Sequence, residues 1–490
     1  MNIIDKIKKD TNNAFDIIYK EININNEIIT LVYSEVLTNT SNITEMILKD
    51  ISKIINNKTN INEDLFSYLY NSLPNPNITD IKDYKDLIEK LLDGYVIFIN
   101  KEKYFGMEVK AILDRGISIA TDEVSVRGPK DSFTENFNKN LGLIRRRIKS
   151  ENLWINTQKI GVQTKTKVGL IYMKNIASDK LISEVEKKWK KIDIDGIIDS
   201  SYLKNYLAED SHIFPTIITT ERPDLVSMSL LEGKIAILVD NSPYLLILPC
   251  FFIDLFHTPD DYYQKPINIT FIRIIRLCAF LISIFIPAYY IAITTHNHDS
   301  ITIDLLLNFL SQRQTVPFPA LVEALLMTIS FEILRESDMR MASTMGTAVS
   351  ILGGLVLGDA AVSAGIISPI MIIVIAISAI SGLVFTSIEL TSAIRWWRII
   401  LMILASLFGI FGIFIGLILL ITKLASIKVY SNPYLSPFSP LILSEQKDAI
   451  IRTNNIYKTK YRNPLLASKN IVRGRNKWKK LFYCYFLFYY

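Results

Sequence analysis

The sequence predicts an α/β (or α+β) soluble N-terminal half followed by an α-helical polytopic membrane domain, and three observations predict it. An apolar block from about Thr270 to Leu424 follows roughly 270 residues of mostly polar sequence. Two stretches of that block, Ile366 to Phe385 and Ile399 to Ile421, are each about as long as the ~20 residues that carry a helix across a bilayer. Ahead of the block, short β-rich runs alternate with amphipathic helical patterns, as in a folded soluble domain.

Four regions follow from this pattern. Residues 1–100 are rich in Asn, Ile and Lys and read as a mobile arm leading into a small α/β or helical subdomain, with turn signals at Asn71-Ser72-Leu73-Pro74-Asn75-Pro76. Residues 101–250 form a second soluble subdomain, 251–425 the membrane domain and 426–490 a basic cytoplasmic tail. Within the soluble half, Tyr95 to Ile99, Lys110 to Leu113, Val168 to Tyr172 and Thr216 to Thr219 have strand character, and Ser178 to Lys190 is an amphipathic helix. Lys234 to Val239, the turn Asp240-Asn241-Ser242-Pro243 and Tyr244 to Leu248 form a hairpin leading toward the membrane.

The membrane block is uneven. Thr270 to Ile293 is a good span, with Arg273 and Arg276 near its start, where they are expected to snorkel to the interface. Phe318 to Arg335 is shorter and carries Glu323 and Glu332. Gly346 to Gly358 is too short and glycine-rich for a plain crossing, so a half-helix or re-entrant segment competes with it, and Tyr244 to Phe256 reads as interfacial. Four crossings with both termini cytoplasmic is the favoured arrangement, because the tail is strongly basic. Five crossings stay open, because Arg395-Trp396-Trp397-Arg398 also has the character of a cytoplasmic anchor.

Charge is segregated. Lys447 to Lys480 holds eleven Lys and Arg against the single acid Asp448, which leaves the rest of the chain at −4 within an overall +6. A basic run after a span suits the positive-inside rule and anionic membrane lipid better than nucleic acid. The three cysteines, Cys250, Cys278 and Cys484, have no paired spacing, so neither a disulfide framework nor a thiol metal site is expected. No GxxxxGK[ST], HExxH or GxSxG motif is present, and His296 and His298 are an insufficient metal set; neither an enzyme nor a cofactor is expected.

The acids of the block are its most informative residues, because a carboxylate in hydrocarbon must face protein or water. Glu323 and Glu332 are nine residues apart and fall on opposite helix faces, whereas Glu332 and Glu336 share one, with Arg335 beside them. Two readings stand: these acids and Asp359 line a water-filled path, or they pair within the protein. Gly354 and Gly358, and Gly412 and Gly416, are spaced for close helix packing. In the soluble half, Glu123 to Asn136 reads as a strand, a Gly-Pro turn and a helix opened by a Ser132 to Glu135 capping box, ending in Arg145-Arg146-Arg147 on a solvated face.

The run "EVSVRGPKDSFTENFNKNLGLIRRRI", which holds Arg127, Gly128, Pro129, Glu135 and Asn136, closely resembles the A subunits of the GerA family of spore germinant receptors. In order behind it stand "EGKIAILVDNSPYLLILP", "PDDYYQKP", "VPFPALVEALLMTISFEILRE", "GTAVSILGGLVLGDAAVSAGIISP" and "NPYLSPFSPL", together spanning about Lys101 to Leu441. The resemblance implies a multi-pass protein of the spore inner membrane that works with a permease-like B subunit and a lipoprotein C subunit. It further implies a homo-oligomer that couples nutrient sensing to ion release, as an ion channel. It makes Glu323, Glu332, Glu336, Asp359, Gly353, Gly354 and Gly358 candidates for conduction or gating. Met341-Ala342 departs from the family, which usually has a proline two residues after Arg340, and the aromatic run Leu481 to Tyr490 has no counterpart. The competing class is a secondary transporter, against which stand the few convincing spans and the lack of a repeat between halves of the block.

Overall fold

The structure, a computed structural model, describes residues 3–24, 27–49, 51, 65–73, 78–101, 103–111, 123, 127–208, 213–340, 354, 356, 358–442, 446–452 and 463–467. The chain divides into two units, one made of residues 1–210, 217–249 and 455–490 and the other of 211–216 and 250–454.

The first unit contains two five-stranded antiparallel sheets, so it is α+β. Helix α1 (Ile3–Asp10) precedes strands β1 (Ile17–Ile24) and β2 (Glu27–Ser34). Helix α2 (Leu65–Ser72), strand β3 (Ile78–Asp80), helix α3 (Tyr84–Leu91) and strands β4 (Tyr95–Asn100) and β5 (Lys103–Glu108) complete the first subdomain, with sheet order β1-β2-β4-β5-β3. Because side chains alternate across a strand, Ile29, Leu31, Val96 and Phe98 pack on one face with Phe66 and Leu69 of α2. Val32, Ile97 and Ile99 pack on the other with Ile7 of α1 and Leu87, Ile88 and Leu91 of α3. The N-terminus is therefore not a mobile arm: Ile7 is fully buried. The strand expected at Lys110 to Leu113 also does not form where it was read. Lys110 makes only an isolated bridge to Thr38, and Ile112 and Leu113 lie outside the described residues.

The second sheet has the order β6-β7-β9-β10-β8, from β6 (Leu153–Ile160), β7 (Thr166–Met173), β8 (Ile218–Thr220), β9 (Ile235–Val239) and β10 (Leu245–Leu248). Helices α4 (Phe137–Arg147) and α7 (Pro223–Glu232) share one core with Leu153, Ile155, Ile171, Ala236, Leu238, Leu245 and Ile247. Gly169 of β7 lies on this face, where an added Cβ would stand 2.8 Å from Phe137 Cζ. On the opposite face, Asn156 donates to Glu186 of α5 (Asp179–Trp189), and α6 (Ser200–Leu207) packs against α5 and β10. Tyr244 to Leu248 is thus an internal strand and not an interfacial segment, because β10 is buried on both faces between β9 and β8.

Asp16 and Arg145 join the two subdomains. Arg145 Nη2 donates to Asp16 Oδ1 at 3.1 Å and Nε to Oδ2 at 3.2 Å, while Ser34 Oγ donates to Oδ2 at 3.2 Å. The side chains expose 1% and 0%, so the first arginine of the triplet is inside, contrary to the solvated face read from the sequence. The helical period explains this: successive residues turn by about 100°, so Arg146 is exposed and Arg147 swings to Asp131 at 2.6 Å. Lys167 adds a second tie, its ammonium 3.8 Å from the Phe15 ring centre and 4.4 Å from that of Phe137.

In the second unit α8 (Pro266–Thr295, 30 residues) is followed by α9 (Ile303–Arg313), α10 (Ala320–Arg340), α11 (Pro369–Gly382) and α12 (Ile388–Ser426). Among the described residues two helical stretches, α8 and α12, are long and apolar enough to cross a bilayer. The expected span at Ile366 to Phe385 is a helix of only 14 residues, α11. The expected single span at Ile399 to Ile421 is a hairpin. Gly409 has φ 60° and ψ −140°, a conformation that only glycine adopts readily, and the chain reverses there. A straight helix would hold Leu401 and Gly416 about 22 Å apart, yet an added Cβ on Gly416 would overlap the Leu401 side chain. Likewise a Cβ on Gly412 would overlap the Leu404 carbonyl. The glycines at 412 and 416 therefore let the two halves of one hairpin touch.

Asn297, just past the end of α8, closes the turn by accepting from Ile410 N at 2.9 Å, and His296 Nε2 donates to Ser406 O at 2.8 Å. The reversal at Gly409 is thereby held beside the C-terminal end of α8. Phe385, just before α12, packs edge-on against Phe256 and Phe280, and the segment after α12 returns to the start of α8, where Phe252 N donates to Tyr434 O at 3.0 Å. Both ends of α12 therefore lie at one end of the bundle.

Replacing Asp16 by Asn leaves Arg145 buried without a counter-charge and is expected to destabilise the first unit by about 3–5 kcal/mol. A lowered chemical-denaturation midpoint for the two sheets in the full chain, against a smaller drop for Asp131→Asn at the part-exposed pair, checks this.

Candidate functional site: buried charges of the helical unit

Glu323 sits in the first turn of α10 and is 0% exposed. Its Oε2 accepts from the backbone N of Ser368 at 3.1 Å and from Ser368 Oγ at 2.9 Å, and Arg313 Nη2 lies 3.3 Å from Oε1. Ser368 is the N-cap of α11, so the carboxylate lies between two helix N-termini, whose unpaired N–H groups and dipoles favour an anion. Proline 369 at the next position suits that start because it has no N–H to lose. Glu323 thus ties α9, α10 and α11 together.

Glu332 points elsewhere, as the nine-residue spacing requires. Arg395 Nη2 of α12 lies 2.9 Å from its Oε2 and Arg335 Nε 3.7 Å away. Glu336 pairs with Arg340 at 2.6 Å on the exposed surface, an i,i+4 contact worth about 0.3–0.5 kcal/mol. Asp359 is exposed, and among the described residues a Cβ added to Gly354 or Gly358 meets nothing within 4 Å. Gly353 lies outside the described residues.

Arg398 is a buried cation that the sequence reading placed in an interfacial anchor. Its Nε donates to Ser283 O at 2.8 Å and its Nη2 reaches Ser378 O at 3.5 Å, while Ser378 Oγ also donates to Ser283 O at 2.7 Å. The reason is four residues downstream: Pro287 inside α8 has no N–H, so Ser283 loses its intrahelical donor. Arg398 and Ser378 fill the vacancy and lock α8, α11 and α12 together. A proline inside a predicted span was the signal that could have found this site.

At the start of α8, Arg273 and Arg276 do not snorkel. Arg276 Nη1 donates to Asp261 Oδ2 at 2.8 Å and Arg273 Nε to the same oxygen at 3.2 Å. Arg273 Nη1 donates to Asp448 Oδ1 at 3.0 Å and to its carbonyl at 2.6 Å. Burial alone would raise the Asp261 carboxyl, but the Arg276 and then the Arg273 guanidinium holds it below the usual range. His257, whose Nε2 donates to Ala449 O at 2.7 Å, is pushed below its ordinary value by burial and then by Arg273. Asp448, the single acid between Lys447 and Lys480, is committed to this network.

The soluble motif is built as a junction. Arg127, Gly128 and Pro129 are exposed, and Glu135 is exposed with its carbonyl accepting from Asn241 N at 2.8 Å. The Ser132 to Glu135 capping box does not form. Asn136 is the N-cap instead, its Oδ1 accepting from Lys139 N at 3.0 Å, because Phe133 and Phe137 both have to enter the core. The strand read across Val124 to Val126 lies outside the described residues. Glu123 meets Glu221: its N–H donates to Glu221 Oε1 at 2.8 Å, and Thr220 Oγ1 donates to Glu123 Oε2 at 2.5 Å. Burial pushes the Glu123 carboxyl up to about 7, against the pull of Thr220 and Arg222. Among the described residues no group of three or more His, Cys, Asp or Glu is placed to hold a metal.

The family described as "Bacillus/Clostridium GerA spore germination protein" matches residues 5–464. Spore germination protein KA of Bacillus subtilis is 35% identical over 457 residues, covering 92% of this chain and 83% of that protein. Spore germination protein GerQA of Bacillus cereus is 33% identical over 479 residues, 94% of each. A protein named an uncharacterized membrane protein, YfkQ of Bacillus subtilis, is 34% identical over 446 residues, 90% of this chain and 86% of that one. The crystal structure of the N-terminal domain of the A subunit of the Bacillus megaterium spore germinant receptor GerK3 shares 32% identity, covers 51% of this chain and 94% of that chain, and has a TM-score of 0.39.

Because the folded pKa of Glu123 lies above its ordinary 4.5, its contribution to stability is present below about 4.5 and is lost as pH rises through about 7. Glu123→Gln is expected to flatten that stretch of the stability–pH profile. Hydrogen exchange of β8 in the full chain, measured across this window, checks it.

Proposed function

The chain belongs to the GerA family of spore germination proteins, among its receptor A subunits, and from that premise we propose that it is the membrane-embedded A subunit of a nutrient germinant receptor. It acts in the spore inner membrane with a permease-like B subunit and a lipoprotein C subunit. It couples germinant sensing to ion release, as an oligomer whose helices enclose an ion path.

The observation that carries this reading is a helical unit tied together by charges instead of by apolar packing alone. A passive anchor has no need of Glu323 and Arg398 in its interior, or of a part-buried Glu332 paired to another helix, since each must be desolvated and re-paired. In this reading Glu323 and Glu332 hold α9, α10, α11 and α12 in register, and a gating movement exchanges their partners. Asp359, Gly354 and Gly358, open among the described residues, face the path or a second copy, with Gly353 next in sequence and Glu336 at the mouth.

The topology is supported by the Gly409 hairpin. With the reversal beside the C-terminal end of α8 and both ends of α12 at the opposite end, the residues before α8 and after α12 fall on one membrane face, which we assign to the cytoplasm. In a cysteine-free background, Asp299→Cys should react with an impermeant maleimide from outside and Lys428→Cys only after permeabilisation. Labelling of both from one side overturns the topology.

Deleting the gene is expected to abolish germination toward at least one nutrient and to leave non-nutrient routes intact; normal responses to every nutrient overturn the assignment. Glu332→Gln and Gly354→Leu should alter the kinetics of ion release at unchanged protein level, read by ion efflux from spores and by immunoblot. Unaltered efflux removes these residues from the path and its gate.

A further inference from the structure

We propose that Tyr290 of α8, Arg313 of α9, Glu323 of α10 and Ser368 at the start of α11 build a binding site for one water molecule inside the helical unit, and that Tyr290 positions this water for the Glu323 carboxylate. The site stands on its own geometry; its part in gating rests on the receptor reading.

Three buried polar atoms meet there with no hydrogen bond to the chain. Glu323 Oε2 takes both donations from Ser368, but Oε1 accepts none: Arg313 Nη2 stands 3.3 Å away as an ion pair outside hydrogen-bond alignment. Arg313 Nε donates to nothing. Tyr290 Oη is also unbonded, although Ser368, Arg313 and Glu323 are its polar neighbours. Glu323 and Tyr290 are 0% and 3% exposed, so bulk solvent does not serve these atoms. Buried polar atoms in proteins are almost always paired with protein or with ordered water, and here three of them surround one carboxylate.

The chemistry of the set selects the guest. It offers one carboxylate acceptor, one guanidinium donor and a phenolic hydroxyl that can do either. A cation would stand against Arg313 and an anion against Glu323. Water donates to Oε1, accepts from Nε and bonds Oη in either sense, which gives it about three partners, the usual number for a buried water. The elements hold these groups in place. The Tyr290 ring lies 5.8 Å from that of Phe309 in α9, and Ser368 is fixed as the N-cap of α11. Tyr290 is five residues before the end of α8, about 8 Å along the axis. The Arg313 side chain is 17% exposed, so it is the member of the set through which water reaches the site.

The water changes what Glu323 can do. A buried carboxylate held by a dry ion pair leaves its partner only as an uncompensated charge. With water on Oε1 and the Tyr290 hydroxyl behind it, the carboxylate trades the Arg313 contact for a hydrogen bond before Arg313 has gone. Exchange of partners at Glu323 therefore passes through the water, and Tyr290 acts on the carboxylate by holding that water.

X-ray hydroxyl-radical footprinting of the full-length chain in bilayer nanodiscs tests the site, because radicals generated from bound water oxidise the side chains beside it. Tyr434 is the comparator: it is 0% exposed, and its Oη is satisfied by donating to Pro215 O at 2.8 Å. Tyr290 should be oxidised several-fold faster than Tyr434, and equal protection of the two overturns the site. Tyr290→Phe keeps the ring and removes one partner of the water, so oxidation at position 290 should fall to the level of Tyr434. Loosened packing would raise that rate, and a rate that stays fast overturns the positioning role. In spores Tyr290→Phe should slow ion efflux several-fold at unchanged protein level, and unaltered efflux overturns the part in gating. A gene deletion run alongside separates the hypotheses: normal germination after deletion sinks the receptor reading, while the footprint still decides the site. Where Tyr290→Phe fails to accumulate, the comparison of Tyr290 with Tyr434 in the unaltered chain decides alone.

Discussion

The Asp16–Arg145 pair holds the β1–β2 hairpin to α4, and its terms recur at every junction in the molecule. A charge withdrawn from water is tolerated only when its partner and its remaining hydrogen bonds are supplied in place. Asp16 receives Arg145 twice and Ser34 once. Glu323 receives Ser368 twice beside Arg313. Asp261 receives Arg273 and Arg276. Each is a fixed point between separate elements, and the apolar packing fills in around these points. Arg222–Asp224, a pair at 2.8 Å and also buried, meets the same requirement within a single helix start, that of α7.

Arg398 shows the constraint in its least familiar form, because it is met by carbonyls and not by a carboxylate. Proline inside a helix is usually discussed as a loss of one hydrogen bond. Here the loss is what creates the acceptor: Ser283 O is left open at the level of the bundle where α11 and α12 cross α8. A single residue, Pro287, thus accounts for a buried arginine and for the position of Ser378.

Much of the fold is legible along the chain. The continuous apolar runs at 95–99 and 235–239 become strands buried on both faces, since a strand without a polar alternation has nowhere to put a solvent side. The run at 270–293 becomes a long helix. The β1–β2 hairpin and β6 were not read, because Lys20, Glu21, Asn156 and Gln158 interrupt their apolar pattern, and only in the fold do Asn156 and Gln158 find partners in Glu186 and Trp189. The candidate site was legible in residue type more than in arrangement. Glu323 and Glu332 were found from the cost of an acid in an apolar block, and their opposite faces from the helical period, but Arg313, Arg395 and Ser368 come from other elements.

By itself the sequence determined the order of a soluble and an apolar part, the family through its ordered motifs, and which acids are out of place in their surroundings. These are properties of composition and short-range period, which survive without knowledge of contacts. Only the tertiary structure decided that Arg145 is inside while Arg146 is outside, that Arg273 and Arg276 turn inward, and that the block at 388–426 folds back at Gly409. The last case gives the reason. A glycine in an apolar run is equally compatible with a straight helix, a kink or a reversal, and the choice is made by Asn297, 112 residues before Gly409, accepting from Ile410 N. Local sequence sets what each segment can do; the pairing of groups distant along the chain selects which of those it does.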